Sequence, residues 1–296
     1  MHIFVTGATG LIGQHLCPFL EHHNTVTVLS RNATKANVLL GHKIKAVTDI
    51  SAVDFNTVDV VINLAGEPIV NKRWSDKQKQ IIRDSRINLT EKISHAIAAS
   101  TNPPHTFISG SAIGYYGRQS NKRIDENFTD PHNEFSHQLC KDWEDAALKA
   151  ESEKTRVCLL RTGIVLAKKG GALSKMLPAF KLCLGGPIGD GEQGMSWIHI
   201  DDMTQLILYI MKHPEISGPI NAVAPNPVSN SEFSKRLGNA LSRPAFMPMP
   251  AFVLKVLMGE MSDLLTTGQF VVPTKAQKHN YRFHYENLKS ALDSLV

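Results

Sequence analysis

The chain holds only four cysteines in 296 residues, and no two stand in a Cys-x-x-Cys pair. Cys17, Cys140, Cys158 and Cys183 are scattered, which argues against a disulfide framework and against a thiolate metal cluster. Such spacing suits buried thiols in a reducing compartment, and a cytoplasmic location is expected. The thirteen histidines form no His-Glu-x-x-His pair and no cluster with cysteine, so no metal is expected. No apolar run approaches the roughly 20 residues of a membrane span, so no membrane partner is expected. The N-terminus opens on a strand pattern, without a charged-then-apolar leader, so no signal peptide is expected. A net charge of +5 is not gathered into a long basic run. It favours small anionic ligands slightly and gives no reason to expect nucleic acid. There is no internal repeat and no low-complexity tract.

What is present begins at once. Residues 3–13 read Ile-Phe-Val-Thr-Gly-Ala-Thr-Gly-Leu-Ile-Gly: a short apolar run, then glycines at 7, 10 and 13, then an amphipathic stretch from Leu11 to Leu20. Strand, tight glycine turn and helix in that order place free backbone N–H groups where a dinucleotide pyrophosphate can sit. Gly7 permits the turn, Gly10 opens the approach to the phosphates, and Gly13 lets helix and strand pack closely. The spacing is G-x-x-G-x-x-G and no Gly-Lys-Ser/Thr follows, which argues against a triphosphate-binding P-loop.

Strand and helix patterns alternate from there to about residue 165. Strands are predicted at Ile3–Val5, Val26–Leu29, Lys43–Val47, Asp59–Asn63, Thr106–Ser109 and Arg156–Leu160, each short and apolar like the strands of a parallel sheet covered on both faces. The clearest helices are Ser75–Ala99, with Ser75 as N-cap, and His132–Glu153. This predicts an α/β fold, a Rossmann-type doubly wound parallel sheet over residues 1–165. Beyond 165, glycine pairs and a Pro/Met-rich run, Phe246–Phe252, mark a smaller, mostly helical substrate lobe over 166–195 and 223–296. Between its two parts the chain is expected to return to the main sheet around Ser196–Ile210 and Pro219–Ala222.

The second strand ends Val28-Leu29-Ser30-Arg31. NAD enzymes commonly place a carboxylate here to hold the ribose 2′-hydroxyl. A hydroxyl and a guanidinium stand here instead, with Lys35 one turn on, so Ser30, Arg31 and Lys35 are expected to receive a 2′-phosphate and NADP is expected over NAD.

Several segments together resemble the extended short-chain dehydrogenase/reductases, the NAD-dependent epimerase/dehydratase family. They are Thr6-Gly7-Ala8-Thr9-Gly10-Leu11-Ile12-Gly13, Asn63-Leu64-Ala65-Gly66, Asn88 in a long helix, Ser109-Gly110-Ser111 at a strand end, and Trp197-Ile198-His199-Ile200-Asp201-Asp202. More narrowly, Gly66-Glu67-Pro68-Ile69, Lys72-Arg73-Trp74, Gly114-Tyr115-Tyr116-Gly117, Cys140-Lys141-Asp142-Trp143-Glu144 and Leu160-Arg161-Thr162-Gly163 resemble bacterial epimerase-family proteins of the YfcH type, as does a C-terminal segment of about 248–295. The resemblance implies a nucleotide site on Gly7, Thr9, Gly10, Leu11, Ile12 and Gly13, and on Leu64, Ala65 and Gly66. It implies an NADP-dependent oxidoreductase or epimerase acting on a sugar-like or other small carbonyl or hydroxyl compound. The alternative is a non-catalytic NADP(H)-binding redox sensor or scaffold. An anionic compound or a nucleotide sugar is the expected substrate; a homodimer is compatible with the sequence, which names no oligomeric state.

Catalysis in that family rests on a Ser, a Tyr-x-x-x-Lys pair and an Asn. The tyrosine moves the proton of the substrate hydroxyl, the lysine lowers its pKa and holds the ribose, and the serine orients the substrate oxygen. Ser111 and Asn88 fall at the serine and asparagine positions. The tyrosine is missing: four residues before Lys141 stands His137. Two routes are open, His137 itself, whose ordinary pKa of about 6.5 suits proton transfer, or Tyr115 and Tyr116 on the loop after Ser111. The literal Tyr285-x-x-x-Lys289 lies far from the expected order of elements and is read as coincidence. Glu67, Lys72, Arg73 and Trp74, on the loop after the fourth strand, are candidate substrate contacts, with Trp197 and His199 as weaker ones. Asp201 and Asp202 read first as helix-capping acids.

Overall fold

A computed structural model describes every residue except position 42. Seven strands make one sheet: β1 (His2–Thr6), β2 (Thr25–Leu29), β3 (Lys45–Val47), β4 (Val60–Asn63), β5 (Thr106–Ala112), β6 (Arg156–Thr162) and β7 (Gly218–Ala222). Their spatial order is β7-β6-β5-β4-β1-β2-β3. Every neighbouring pair is parallel. The order reverses between β1 and β4, so the carboxyl ends of these two strands open a crevice. The doubly wound Rossmann-type sheet is therefore as the sequence pattern predicts.

Alternation along the strands explains why both faces are covered. Ile3, Val5, Val60, Ile62, Ile108, Cys158 and Leu160 face one layer, where they meet α1 (Leu11–Leu20) and α6 (Ile200–Lys212). Phe4, Val61, Phe107, Val157 and Leu159 face the other, where Ile93 and Ile97 of α3 (Asp76–Ala98) and Ala147 of α4 (Phe135–Leu148) close over them. Between α1 and α3 lies the short α2 (Ala33–Leu40). Ser75 caps α3 as expected, accepting from the Gln78 N–H at 3.2 Å.

The remaining chain forms a second apolar cluster. Leu173 and Phe180 of α5 (Gly171–Lys181), Phe233 and Leu237 of α7 (Asn230–Ala240), and Leu288, Leu292 and Leu295 of the C-terminal helix pack around Trp197. One expectation needs correction. Pro219–Ala222 does rejoin the main sheet, as β7, but Ser196–Ile210 adds no strand to it. Trp197–His199 pairs with Ile164–Leu166 in a separate two-stranded ribbon. The chain then turns into α6, whose strongly one-sided apolar face packs on the sheet. At the start of α5, Cβ atoms built on Gly170 and Gly171 would lie 3.4 and 2.9 Å from the methyl groups of Leu11. The lobe is thus seated directly against the first turn of α1.

The glycine turn shows why two of its three glycines are structural. Gly7 has φ +72°, and a Cβ there would come within 2.5 Å of the Leu64 carbonyl. A Cβ on Gly13 would lie 2.4 Å from Ala8 Cα. Gly13→Ala should therefore lower unfolding stability by roughly 1–3 kcal/mol through overpacking; an unchanged urea midpoint would show that the close helix–turn contact is not required.

Candidate cofactor and active site

The third glycine behaves differently. Gly10 is the N-cap of α1 and brings no side chain to the N–H groups of the first turn. A Cβ there would meet only the Gly7 carbonyl oxygen, at 3.1 Å. The helix N-terminus is thus open to an anion, beside the crevice where the strand order reverses. Thr9, Leu11 and Ile12 are half-buried around it. Across the crevice, Thr6 Oγ1 donates to Asn63 Oδ1 at 2.5 Å, and Asn63 Nδ2 donates to Thr90 Oγ1 at 2.8 Å. These bonds fix the end of β4, from which Leu64, Ala65 and Gly66 run along the opening.

At the end of β2, Ser30 hydrogen-bonds Asn32 and Arg31 is exposed. Among the described residues Arg31 and Lys35 have no carboxylate partner, although the Lys35 N–H is bound by the Asn32 side chain at 2.9 Å. No described group of three or more His, Cys, Asp or Glu side chains is placed to hold a metal ion.

Next to the crevice lies a buried polar network. Arg161 on β6 donates from Nε and Nη2 to the two carboxylate oxygens of Glu144 on α4, both at 2.8 Å. Ser111 Oγ donates to Glu144 Oε1 at 2.6 Å. Arg161 Nη1 lies 3.1 Å from the Tyr116 hydroxyl, which donates to Asn221 Oδ1 at 2.7 Å. Burial disfavours the Arg161 charge, but the Glu144 carboxylate outweighs it and holds the guanidinium above its ordinary pKa. Burial pushes the Tyr116 phenol up to about 12.

This network places the expected catalytic residues unequally. Ser111 is buried, and its one proton is committed to Glu144. Tyr116 is fully buried and doubly bonded, so it is part of the scaffold. Tyr115 is only half-buried; its ring lies 3.5 Å from the Arg161 guanidinium carbon, and its hydroxyl has no partner among the described residues. His137 is buried, with Nδ1 donating to the Tyr115 carbonyl at 2.5 Å. Lys141 points to solvent and pairs with Asp145 at 2.7 Å.

Sequence counting set the α4 register one residue off. The face toward Ser111 carries Glu144, then Cys140 and Ser136 one and two turns back, all buried. Burial raises the Cys140 thiol to about 12, so it stays a neutral packing group. Asn88 is exposed and makes no side-chain hydrogen bond among the described residues; inside α3 it is the buried Thr90 that meets Asn63 at the end of β4.

The substrate candidates divide likewise. Trp197 is fully buried in the lobe and donates to the Asn226 carbonyl at 3.2 Å. His199 is buried, caps α6 by accepting from the Asp201 N–H at 3.1 Å, and stacks on Tyr285. Both are structural, contrary to expectation. Asp202 in turn accepts from the backbone N–H groups of His284 and Tyr285. The loop from Glu67 to Trp74 follows the end of β4. Trp74 is held by the Ile69 carbonyl at 3.0 Å and packs edge-on against Phe135. Lys72 and Arg73 are exposed without a described carboxylate partner, and the Glu67 N–H is bound by Ser85 at 2.9 Å. Lys175 of the C-terminal half reaches Asn71 of this loop at 2.8 Å, and Lys79 at the start of α3 pairs with Glu260.

Glu144, Arg161 and Arg86 were not singled out by residue type. The available signal was a charge inside an apolar strand, Arg161 after Val157–Leu160, because such a charge is rarely buried without a partner. Arg86 on α3 is half-buried, with its guanidinium 5.3 Å from the Trp143 ring.

A switch-point crevice with an open helix N-terminus defines a dinucleotide-binding Rossmann protein. Comparison with known proteins narrows this. The NAD dependent epimerase/dehydratase family matches residues 3–223, and the chain belongs to that family; a domain of unknown function matches 249–295. The chain is 39% identical to the chloroplastic epimerase family protein SDR39U1 homolog of Arabidopsis thaliana, over all of this chain and 87% of that protein. It is 38% identical to epimerase family protein YfhF of Bacillus subtilis, over all of this chain and 98% of that one. These relatives do not carry the YfcH name expected from the motifs. Human epimerase family protein SDR39U1, isoform 2, crystallised with NADPH, superposes with a TM-score of 0.92 at 32% identity, over all of this chain and 99% of that one.

Removing one member of the buried pair should be costly. Glu144→Leu leaves the Arg161 charge unpaired and is expected to lower stability by about 3–5 kcal/mol. Adding Arg161→Met should restore much of the loss. Equal denaturation midpoints for the wild type and the Glu144→Leu variant would show that the pair does not hold the site together.

Proposed function

We propose that the chain binds NADP(H) in the crevice between β1 and β4 and transfers a hydride to or from a small carbonyl or hydroxyl substrate. The observation that carries this reading is Arg31, exposed and free of any described carboxylate at the end of β2, where a 2′-phosphate is met by charge-assisted bonds. The open first turn of α1 suits the pyrophosphate. The likeness to a relative crystallised with NADPH supports the same cofactor. The nicotinamide supplies or accepts the hydride when bound.

The chain's own part is orientation and proton movement. Tyr115 is the tyrosine of the loop whose hydroxyl has no partner among the described residues, and the Arg161 guanidinium against its ring fixes where that ring lies. It is the proton-transfer residue of this reading, and Ser111, His137 and Tyr116 hold the ground beneath it. Lys72 and Arg73 suit an anionic, sugar-like substrate held between the 67–74 loop and the lobe. Four cysteines without a disulfide suit work in the cytoplasm.

The second reading, a non-catalytic NADP(H) sensor or scaffold, is favoured by the Ser111 proton being held by Glu144 and by Lys141 facing solvent. Two measurements separate these readings. Arg31→Ala should weaken NADPH binding in calorimetry by roughly 10- to 100-fold, as for loss of a hydrogen bond to a charged group, with NADH affinity little changed; equal NADPH affinity removes the argument. In a screen of sugar-like carbonyl compounds, Tyr115→Phe should lower kcat by about 100-fold or more while NADPH affinity holds. If tight NADPH binding is never accompanied by turnover of any carbonyl compound, the sensor reading stands instead.

A further inference from the structure

Arg86 is a cation without an obvious purpose. It rises from the middle of α3, half-buried, and burial works against its charge. Among the described residues no carboxylate lies within ion-pair distance of it. Its hydrogen bonds are the Ile82 carbonyl of its own helix at 3.2 Å and Ser85 Oγ at 3.4 Å, both from Nη1. The Trp143 ring backs it on one side. On the other is Gly66: a Cβ built there would lie 2.9 Å from the guanidinium carbon and 3.1 Å from Nη2. Gly66 is exposed and follows β4 along the crevice. Among the described residues Nε and Nη2 have no protein acceptor, and Nη2 lies beside Gly66 along the crevice. A half-buried guanidinium with free donors in that position suits a ligand rich in oxygen acceptors.

The order of strands says which part of a nucleotide would lie there. Arg31 ends β2, the open helix N-terminus follows β1, and Gly66 follows β4, and these strands stand side by side as β2-β1-β4. A dinucleotide with its 2′-phosphate on Arg31 and its pyrophosphate on α1 must continue past β1 toward β4 and β5. Its second ribose then falls on the side of Gly66. No cation comes from α4 to serve it, because Cys140 is the residue buried on the inward face and Lys141 turns out to Asp145.

We propose that Arg86 is the residue that binds the second ribose, donating from Nε and Nη2 to the vicinal hydroxyls at the nicotinamide end of the nucleotide. The cation of the site is then contributed by α3 and reaches it past a glycine, and α4 contributes only packing and the Glu144 carboxylate. This rests on NADP(H) occupying the crevice as proposed above, and it extends that reading to the opposite end of the ligand.

The test compares two ligands on the full chain. NADPH spans both ends, whereas adenosine 2′,5′-bisphosphate carries only the adenosine end. Arg86→Met should weaken NADPH binding in calorimetry by roughly 10- to 100-fold, the loss expected for hydrogen bonds from a charged group, and leave the bisphosphate unchanged. Arg31→Ala should weaken both. Arg86→Lys should recover part of the NADPH affinity, and the thermal midpoint of each unliganded variant checks that it is folded. Unchanged NADPH affinity in a folded Arg86→Met variant, or an equal loss for both ligands, would overturn the assignment. Failure of the wild type to bind either ligand would instead overturn the nucleotide reading beneath it, and the role of Arg86 with it.

Discussion

The carboxylate–guanidinium pair between Glu144 and Arg161 governs how this end of the sheet is built. Each partner is about 5% exposed, so each has given up nearly all of its hydration. Such a pair is tolerable only when the geometry is bidentate and every remaining donor and acceptor is satisfied. Here Ser111, Tyr116 and Asn221 do that work from β5, the following loop and β7. The network extends further, because the Asn221 N–H donates to Glu126, whose carboxylate also receives the Lys275 N–H. One ion pair therefore fixes the relative positions of α4, three adjacent strands and a segment near the C-terminus. The rigid floor beneath the β5 terminus is a consequence of that demand for satisfaction.

The same demand divides labour between two adjacent tyrosines. Tyr116 is taken into the network and becomes a strut. Tyr115 is left with its ring against the same guanidinium and its hydroxyl without a partner among the described residues. A single cation thus hydrogen-bonds one phenol and stacks on the ring of the other. Ser111 shows the opposite outcome: a hydroxyl at the end of a central strand looks ready for a ligand, yet a neighbouring carboxylate takes its only proton.

The fold was legible in the sequence because its determinants are local or periodic. Ile3, Phe4 and Val5 alternate between two layers, the glycine turn follows at once, and Ser75 announces α3. Strand ends were less so: β5 and β6 run on through Ala112 and Thr162, where the polar residues Ser111 and Arg161 are paid for by partners distant in sequence. The α4 register was missed for a related reason. Lys141 and Cys140 differ by about 100° around a helix, and only the buried acceptor for Arg161 reveals which of the two faces inward. Trp197 and His199 misled because residue type alone does not distinguish an aromatic that lines a crevice from one that fills a core. The candidate nucleotide turn was readable because backbone geometry, and not a side-chain partnership, defines it.

The seating of Gly170 and Gly171 against Leu11 has a consequence for how this sequence can vary. The first turn of α1 and the first turn of α5 draw on one small volume, filled by the two Leu11 methyl groups and by nothing from the glycines. Space at position 11 and space at positions 170–171 are therefore a shared quantity. A side chain at either glycine is strained by the backbone itself, at φ +81° and +67°, and at Gly171 it would also crowd Leu11 and the Val165 carbonyl, so a smaller residue at 11 relieves only part of the cost. Residues 160 positions apart are bound into one steric unit, in which the backbone holds the glycine pair fixed and position 11 fills the room that the pair leaves.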